Sequence, residues 1–361
     1  MKQGRLILEN GWVVSGESIG AEGRVAGRLV AHTDMTGYQE LLADPTCRGQ
    51  ISCMTYPLVG NVGVRVGSGE GYSIQASGVV FREAQATFSN YLGEQPLTEW
   101  IRASETVALS GVDTREVMAQ LRRNGGMNAV ITTYETDNAD EMAAWARQAL
   151  PEDLAGARSV PPVRILEPIG EQQFDVHVLD LGMPDGFCDA LRERGCRTTV
   201  WPEMTDPTQI LAERPDGIVL SPGPSGCTET AARLVKAVEE KGSLIPLLGL
   251  GSGFLALAEA NGWEPKPMHH GHHGANHPVR DIETGRTYIT KQNHWIGLTE
   301  DAVLPDASQV VIMRNVNDGS VEGIRFSAVT AGYQFVPDSH TQSFGTGHLW
   351  DSFLAVMKRS M

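Results

Sequence analysis

The sequence predicts two domains, an N-terminal strand-rich α+β domain and a C-terminal α/β domain with a mostly parallel sheet. Three observations carry the prediction. The chain has 361 residues, enough for two hydrophobic cores. Residues 151–172 hold Pro151, Pro161, Pro162 and Pro168 with little periodicity, the mark of a linker. Ahead of that stretch, short strand-like runs alternate with glycine and proline turns, whereas behind it strands alternate with helices. The expected boundaries are therefore 1–150, a linker at 151–172, and 173–361.

In the first domain Met1–Glu9 reads as a short strand, and Val79-Val80-Phe81 and Ala129-Val130-Ile131 as two more. One helix is well marked. Asp113 or Thr114 can cap it, Glu116 lies in its first turn, Val117, Met118 and Leu121 form its apolar face, and Asn124-Gly125-Gly126 stops it. A second helix is expected over 139–150. In the second domain the expected strands are Val176–Leu181, Thr198–Trp201 and Gly217–Ser221. Helices are expected after each: one with Phe187 and Leu191 ending at Gly195, one around Ile210-Leu211, and one from Thr228 to Lys241. Units of this length imply a parallel sheet covered on both faces, with its functional loops at the carboxyl ends of the strands. Ser221–Cys227 and Gly249–Gly253 fall at such ends.

The second of these loops organises the domain. Ile245–Leu250 is an apolar run of strand length, Gly249-Leu250-Gly251-Ser252-Gly253 a tight turn, and Phe254–Ala258 a helical run ending at Asn261-Gly262. This is the pattern of a nucleophile elbow, which lifts one side chain above a sheet at a helix N-terminus. Here the apex is glycine.

Composition narrows the function classes. The formal charge is −15 with no basic stripe, which argues against nucleic acid and anionic membranes as partners. No run approaches the roughly 18–20 apolar residues of a membrane span, and the N-terminus has no signal-peptide core, so the expected location is cytoplasmic. Cys47, Cys53, Cys188, Cys196 and Cys227 are scattered without CxxC spacing, which favours reduced thiols over disulfides or a zinc site.

At its loops the chain resembles the small, glutamine-amidotransferase subunit of carbamoyl phosphate synthetase. In the first domain the resemblance rests on Met35-Thr36-Gly37-Tyr38-Gln39-Glu40, Asp44-Pro45, Gln50-Ile51, Tyr56-Pro57, Gly60-Asn61-Val62-Gly63 and Asp113-Thr114-Arg115. In the second it rests on Gly271-His272-His273-Gly274-Ala275-Asn276-His277-Pro278-Val279 and Gln292-Asn293-His294. It implies a class I amidotransferase fold for residues 173–361. It also implies glutamine hydrolysis by an elbow cysteine, a histidine base and a glutamate, with ammonia delivered to a large ATP-grasp subunit.

Against that pattern the chain departs at each catalytic position. The cysteine position falls on Gly251, the histidine on Val336, and the glutamate on Asp338 within Phe335-Val336-Pro337-Asp338. The substrate-binding positions carried over from the family are Thr46, Gly223, Ser225, Ser252, Leu255, Asn293, Trp295 and Ile296. Of these, Ser225 replaces a glycine of the oxyanion loop, Leu255 replaces a glutamine, and Trp295 and Ile296 replace a small glycine and an aromatic. Ser252, beside the apex, is expected to point to the helix side. Glycine supplies no nucleophile and valine accepts no proton, and losing one member of such a triad costs about 10⁴–10⁶ in turnover. The expected function is a non-catalytic assembly or regulatory partner of an ammonia-using large subunit, with no cofactor. Two alternatives stay open. One is a stand-alone binding or interaction protein with a pocket rebuilt by Trp295, Phe335 and Val336. The other is a hydrolase relocated to Cys227, with His294 or His340 as base. The histidines His269, His270, His272, His273 and His277 are expected to form a structured loop and contact surface, without a metal.

Overall fold

The computed structural model describes residues 2–66, 73–148, 162–225, 229–240, 244–302, 306–339 and 345–360. They fall into two compact units, residues 1–157 with 269–274, and residues 158–268 with 275–361.

The first unit is a closed barrel. Its strands are β1 (Gln3–Leu8), β2 (Val13–Ser18), β3 (Arg24–His32), β4 (Gln50–Met54), β5 (Gly78–Phe81), β6 (Val107–Ser110) and β7 (Asn128–Thr132), in the order β1-β2-β6-β5-β4-β3-β7. Antiparallel pairing of β1 with β7, Leu6 opposite Ile131, closes it. Alternation along β1 explains its apolar run. Leu6 and Leu8 join one buried cluster with Leu29, Ile51 and Leu109, while Ile7 joins another with Met142, Ala143 and Ala146. Those last three residues belong to α4 (Ala139–Gln148), which follows α1 (Tyr38–Leu42), α2 (Leu97–Ala103) and α3 (Thr114–Asn124). Helix α3 begins as its sequence dictates: the Asp113 carboxylate accepts from the N–H groups of Arg115 and Glu116, both at 3.2 Å. The Tyr38-Gln39 pair is structural. The Tyr38 hydroxyl donates to the Gly63 carbonyl, and the Gln39 amide exchanges hydrogen bonds of 2.7 and 2.9 Å with the Arg65 backbone. Cys47 and Cys53 are buried, unbridged thiols, and burial pushes Cys53 up to about 12.

The second unit holds a ten-stranded sheet. Its strands are β8 (Arg164–Leu166), β9 (Phe174–Asp180), β10 (Cys196–Pro202), β11 (Gly217–Leu220), β12 (Leu247–Leu250), β13 (Lys266–Asp281), β14 (Thr287–Gly297), β15 (Val310–Asn315), β16 (Val321–Arg325) and β17 (Thr330–Tyr333). The order is β14-β13-β15-β16-β17-β12-β11-β9-β10-β8, with parallel pairing from β17 through β10. Its helices are α5 (Asp189–Arg192), α6 (Pro207–Ala212), α7 (Glu229–Glu240), α8 (Ser252–Ala260) and α9 (His348–Ser360). The sheet carries one apolar cluster with α5 and α9, including Leu191, Trp350 and Phe353. A second cluster gathers α6, α7 and α8 through Ile210, Leu234 and Leu257. The α/β prediction with a mostly parallel central sheet is met.

Three details differ from expectation. The proline-rich stretch read as a linker contains β8, antiparallel to β10 with Leu166 opposite Thr198; residues 151–161 lie outside those described. An edge strand of three residues is too short to show a period. The helix expected around Phe187–Leu191 is a single turn, α5. The histidine-rich string, expected as a loop, lies within the 16-residue strand β13. Residues 269–274 of that strand group with the first unit, where the Gly126 N–H donates to the His269 carbonyl at 2.8 Å.

Candidate functional site

Strands β11, β12 and β17 are parallel neighbours, so the loops leaving their carboxyl ends converge. These are 221–225, the Gly251 turn, and 334–338. Gly251 stands at the N-cap of α8 with φ 55 and ψ −115. A residue with a side chain is strained at that backbone by about 1–3 kcal/mol, whereas glycine reaches it without penalty. A Cβ built on Gly251 would lie 3.1 Å from Pro222 Cβ and 4.0 Å from the Gln334 carbonyl oxygen. The turn thus keeps the backbone of an elbow and points its apex at Pro222 and Gln334.

The elbow is fastened on every side. The Gly251 N–H donates to the Tyr333 carbonyl at 3.0 Å, and the Gly253 N–H donates to the Ser221 carbonyl at 3.2 Å. Two of the backbone donors that could cradle an anion are therefore engaged. Ser252 is 5 % exposed and points to the neighbouring loop rather than along the helix. Its hydroxyl donates to the Gly223 carbonyl at 2.7 Å and lies 3.1 Å from the Pro224 carbonyl. Gly223 is required by close approach, since a Cβ there would stand 2.1 Å from the Leu181 carbonyl oxygen. Ser225 follows, half-buried in the turn.

The remaining positions are spread out. Leu255 is buried on α8 in the cluster that holds Phe254, Leu220 and Leu257. Val336 packs, half-buried, against the cluster of Tyr333, Phe335 and Trp350. The Asp338 carboxylate accepts from the Thr346 N–H at 2.8 Å and the Thr346 hydroxyl at 2.9 Å, so it braces the approach to α9. Asn293, Trp295 and Ile296 lie on β14, at the sheet edge with four strands between it and β12. Alternation puts Asn293 and Trp295 on one face and Ile296 on the other, where Ile296 packs on the cluster containing Leu255. His294 is buried, with Nδ1 3.1 Å from the Ile296 carbonyl and Nε2 2.8 Å from Gln292 Oε1. Both ring nitrogens are engaged, so a metal or a proton-transfer role would have to displace one of these contacts. Thr46 belongs to the first unit, where its N–H and hydroxyl reach the Asp44 carboxylate at 2.9 and 2.8 Å. Cys227 and His340 lie outside the described residues.

Sequence reasoning missed Gln334. It is 3 % exposed, and both polar atoms of its amide are buried without a hydrogen-bond partner among the described residues. The signal was present: a lone amide between Tyr333 and Phe335 in a strand-like run. Its backbone N–H donates to the carbonyl of Glu322, a fully buried acid that also accepts from the Gln292 amide at 3.0 Å. Among the described residues around the apex, the Ser252 hydroxyl has only carbonyl partners, so no hydroxyl–imidazole pair stands there.

Comparison with known proteins matches both units. Residues 6–131 match the family model described as the carbamoyl-phosphate synthase small chain, CPSase domain. Residues 177–356 match the model for class-I glutamine amidotransferases. The chain is 35% identical over 372 residues to a carbamoyl phosphate synthase small chain of Pseudomonas aeruginosa, covering 98% of this chain and 97% of that one. It is 32% identical over 353 residues to the protein of the same name from Clostridium acetobutylicum, covering 98% and 99%. Among solved structures, a glutamine amidotransferase from Thermotoga maritima aligns with a TM-score of 0.36 at 16% identity, over 45% of this chain and 74% of that one.

Proposed function

The chain belongs to the carbamoyl-phosphate synthase small-chain family, and on that premise we propose that it is a member without glutaminase chemistry of its own. In this reading it is a non-catalytic partner that binds an ATP-grasp large subunit and holds it in its assembled form, with free ammonia as the nitrogen donor. The observation that carries the reading is the apex. An elbow backbone is retained at φ 55, yet its residue is Gly251. Hydrolysis through an acyl-enzyme needs an atom there to attack the amide and a base to take its proton. Val336 at the base position is a half-buried hydrocarbon against the apolar cluster, and the Asp338 carboxylate is held by Thr346.

The test is reconstitution with the large subunit of the same organism. Co-purification is expected, with carbamoyl phosphate formed from ammonium and, at equal concentration, at least about 10³-fold more slowly from glutamine. Equal rates from the two donors would overturn the reading. A second reading, a stand-alone binding protein, is favoured by the buried amide of Gln334, which has no partner among the described residues. A pull-down separates the two, because only the first predicts a large ATP-grasp partner.

A further inference from the structure

A cavity of about 890 Å³ opens in the second unit, at the end of the parallel strands where Leu247 and Thr330 begin β12 and β17, opposite the elbow end. It lies between the sheet, the 281–286 turn and α9, within the size range of small-molecule sites. Its walls are apolar where they meet the core, at Leu248, Met313, Leu349 and Phe353. Two tyrosines line it, each 6 % exposed, and neither hydroxyl has a hydrogen-bond partner among the described residues. The rings are buried while the hydroxyls are not sealed off, so both can face a molecule in the cavity. Here both rings are built in place: a Cβ on Gly323 would stand 2.9 Å from the Tyr333 ring, and Tyr288 stacks on His348 with centroids 5.3 Å apart.

The charges favour an anion. Asp281 and Glu283 line the cavity against three arginines, Arg286, Arg325 and Arg359, and Glu283 pairs with Arg325 at 3.5 Å. Arg359 gives its Nε to the Ala355 carbonyl at 3.1 Å. The Arg286 guanidinium also lines the cavity and has no partner among the described residues. Burial above all, with Asp281 adding and Arg325 opposing, pushes Tyr333 up to about 12. Its hydroxyl therefore stays protonated and can donate to an anion at neutral pH.

We propose that this cavity binds a small organic anion with a flat apolar body, its charged head held by Arg286 and the Tyr333 hydroxyl, its body against Tyr288 and Phe353. The site is separate from the elbow and does not depend on whether the elbow is catalytic.

Benzoate and phenyl phosphate serve as probes of a carboxylate and a phosphate head, with phenol and inorganic phosphate as half-ligand controls. Titration of the full chain, followed by calorimetry, is expected to saturate with at least one charged aromatic below about 10 mM. That probe should bind at least tenfold tighter than either control, and whichever head binds identifies the natural one. Tyr333→Phe and Arg286→Gln should each weaken it at least fivefold, at unchanged circular dichroism. Arg286 sits exposed on a turn, so its variant is expected to fold whatever happens at Tyr333. No saturation by either charged probe, or unchanged affinity in Arg286→Gln, would overturn the proposal.

Discussion

Gly251 holds a backbone that a side chain could occupy only under strain, which makes the residue informative by substitution. Gly251→Cys would bring a Cβ to 3.1 Å from Pro222, a contact that a few tenths of an ångström relieve. The main cost is then the backbone, about 1–3 kcal/mol, read as a lowered midpoint in urea at unchanged slope. The thiol should react with iodoacetamide yet release no glutamate from glutamine, because Val336 provides no proton acceptor. Glutamate release by this single variant would show that a base survives near the apex. Single residues divide sharply in how far the sequence disclosed them. Gly251 and Val336 are singled out by the family pattern that the chain resembles. Gln334 is not, since the burial of its amide without a partner among the described residues is a tertiary property that no local window contains.

At the scale of elements, α8 explains why the elbow is rigid. Seven consecutive residues, Ser252 to Ala258, are buried, as expected for a helix apolar all round its surface. Leu255→Gln buries an amide in an apolar cluster and should lower stability by about 1–3 kcal/mol in chemical denaturation. A second prediction belongs to β9 and β10. His177 is buried, accepts from the Trp201 indole at 3.1 Å, and burial holds it below the ordinary histidine range. The unfolded chain then binds the extra proton first, so stability is complete above about pH 6.5 and falls as pH drops through the range below it. Denaturation midpoints measured from about pH 7.5 to about 5.5 should decline on acidification, less steeply in His177→Gln. The alternation of β9 to β12 with helices was readable because each strand is a short apolar run with its own turn. Strand β13 was not: its run of histidines and glycines has no strand propensity, and its place in the sheet, between β14 and β15, is a tertiary property.

The whole molecule shows the limits of local pattern most clearly. Two domains and a parallel sheet were predictable from the proline-rich divide and from the change in periodicity. Closure of the barrel was not, because it joins Arg5 to Thr132, partners that no local window contains. The same holds for the cavity, whose walls come from β12, β15, β17, the 281–286 turn and α9. Family membership, by contrast, was written in the loops. The two family matches cover both units, and relatives are matched over nearly their full length. The chain therefore keeps the architecture of a small subunit, while three positions, Gly251, Val336 and Asp338, carry the question of its chemistry.

That question is settled most directly by glutamate release. The purified chain, alone and with its large subunit, ATP and bicarbonate, is incubated with glutamine while glutamate is followed by a coupled dehydrogenase assay. The expected rate is indistinguishable from the enzyme-free blank in both samples, while ammonium supports carbamoyl phosphate synthesis in the second. Glutamate release that rises with protein concentration and is abolished by Cys227→Ser would contradict it.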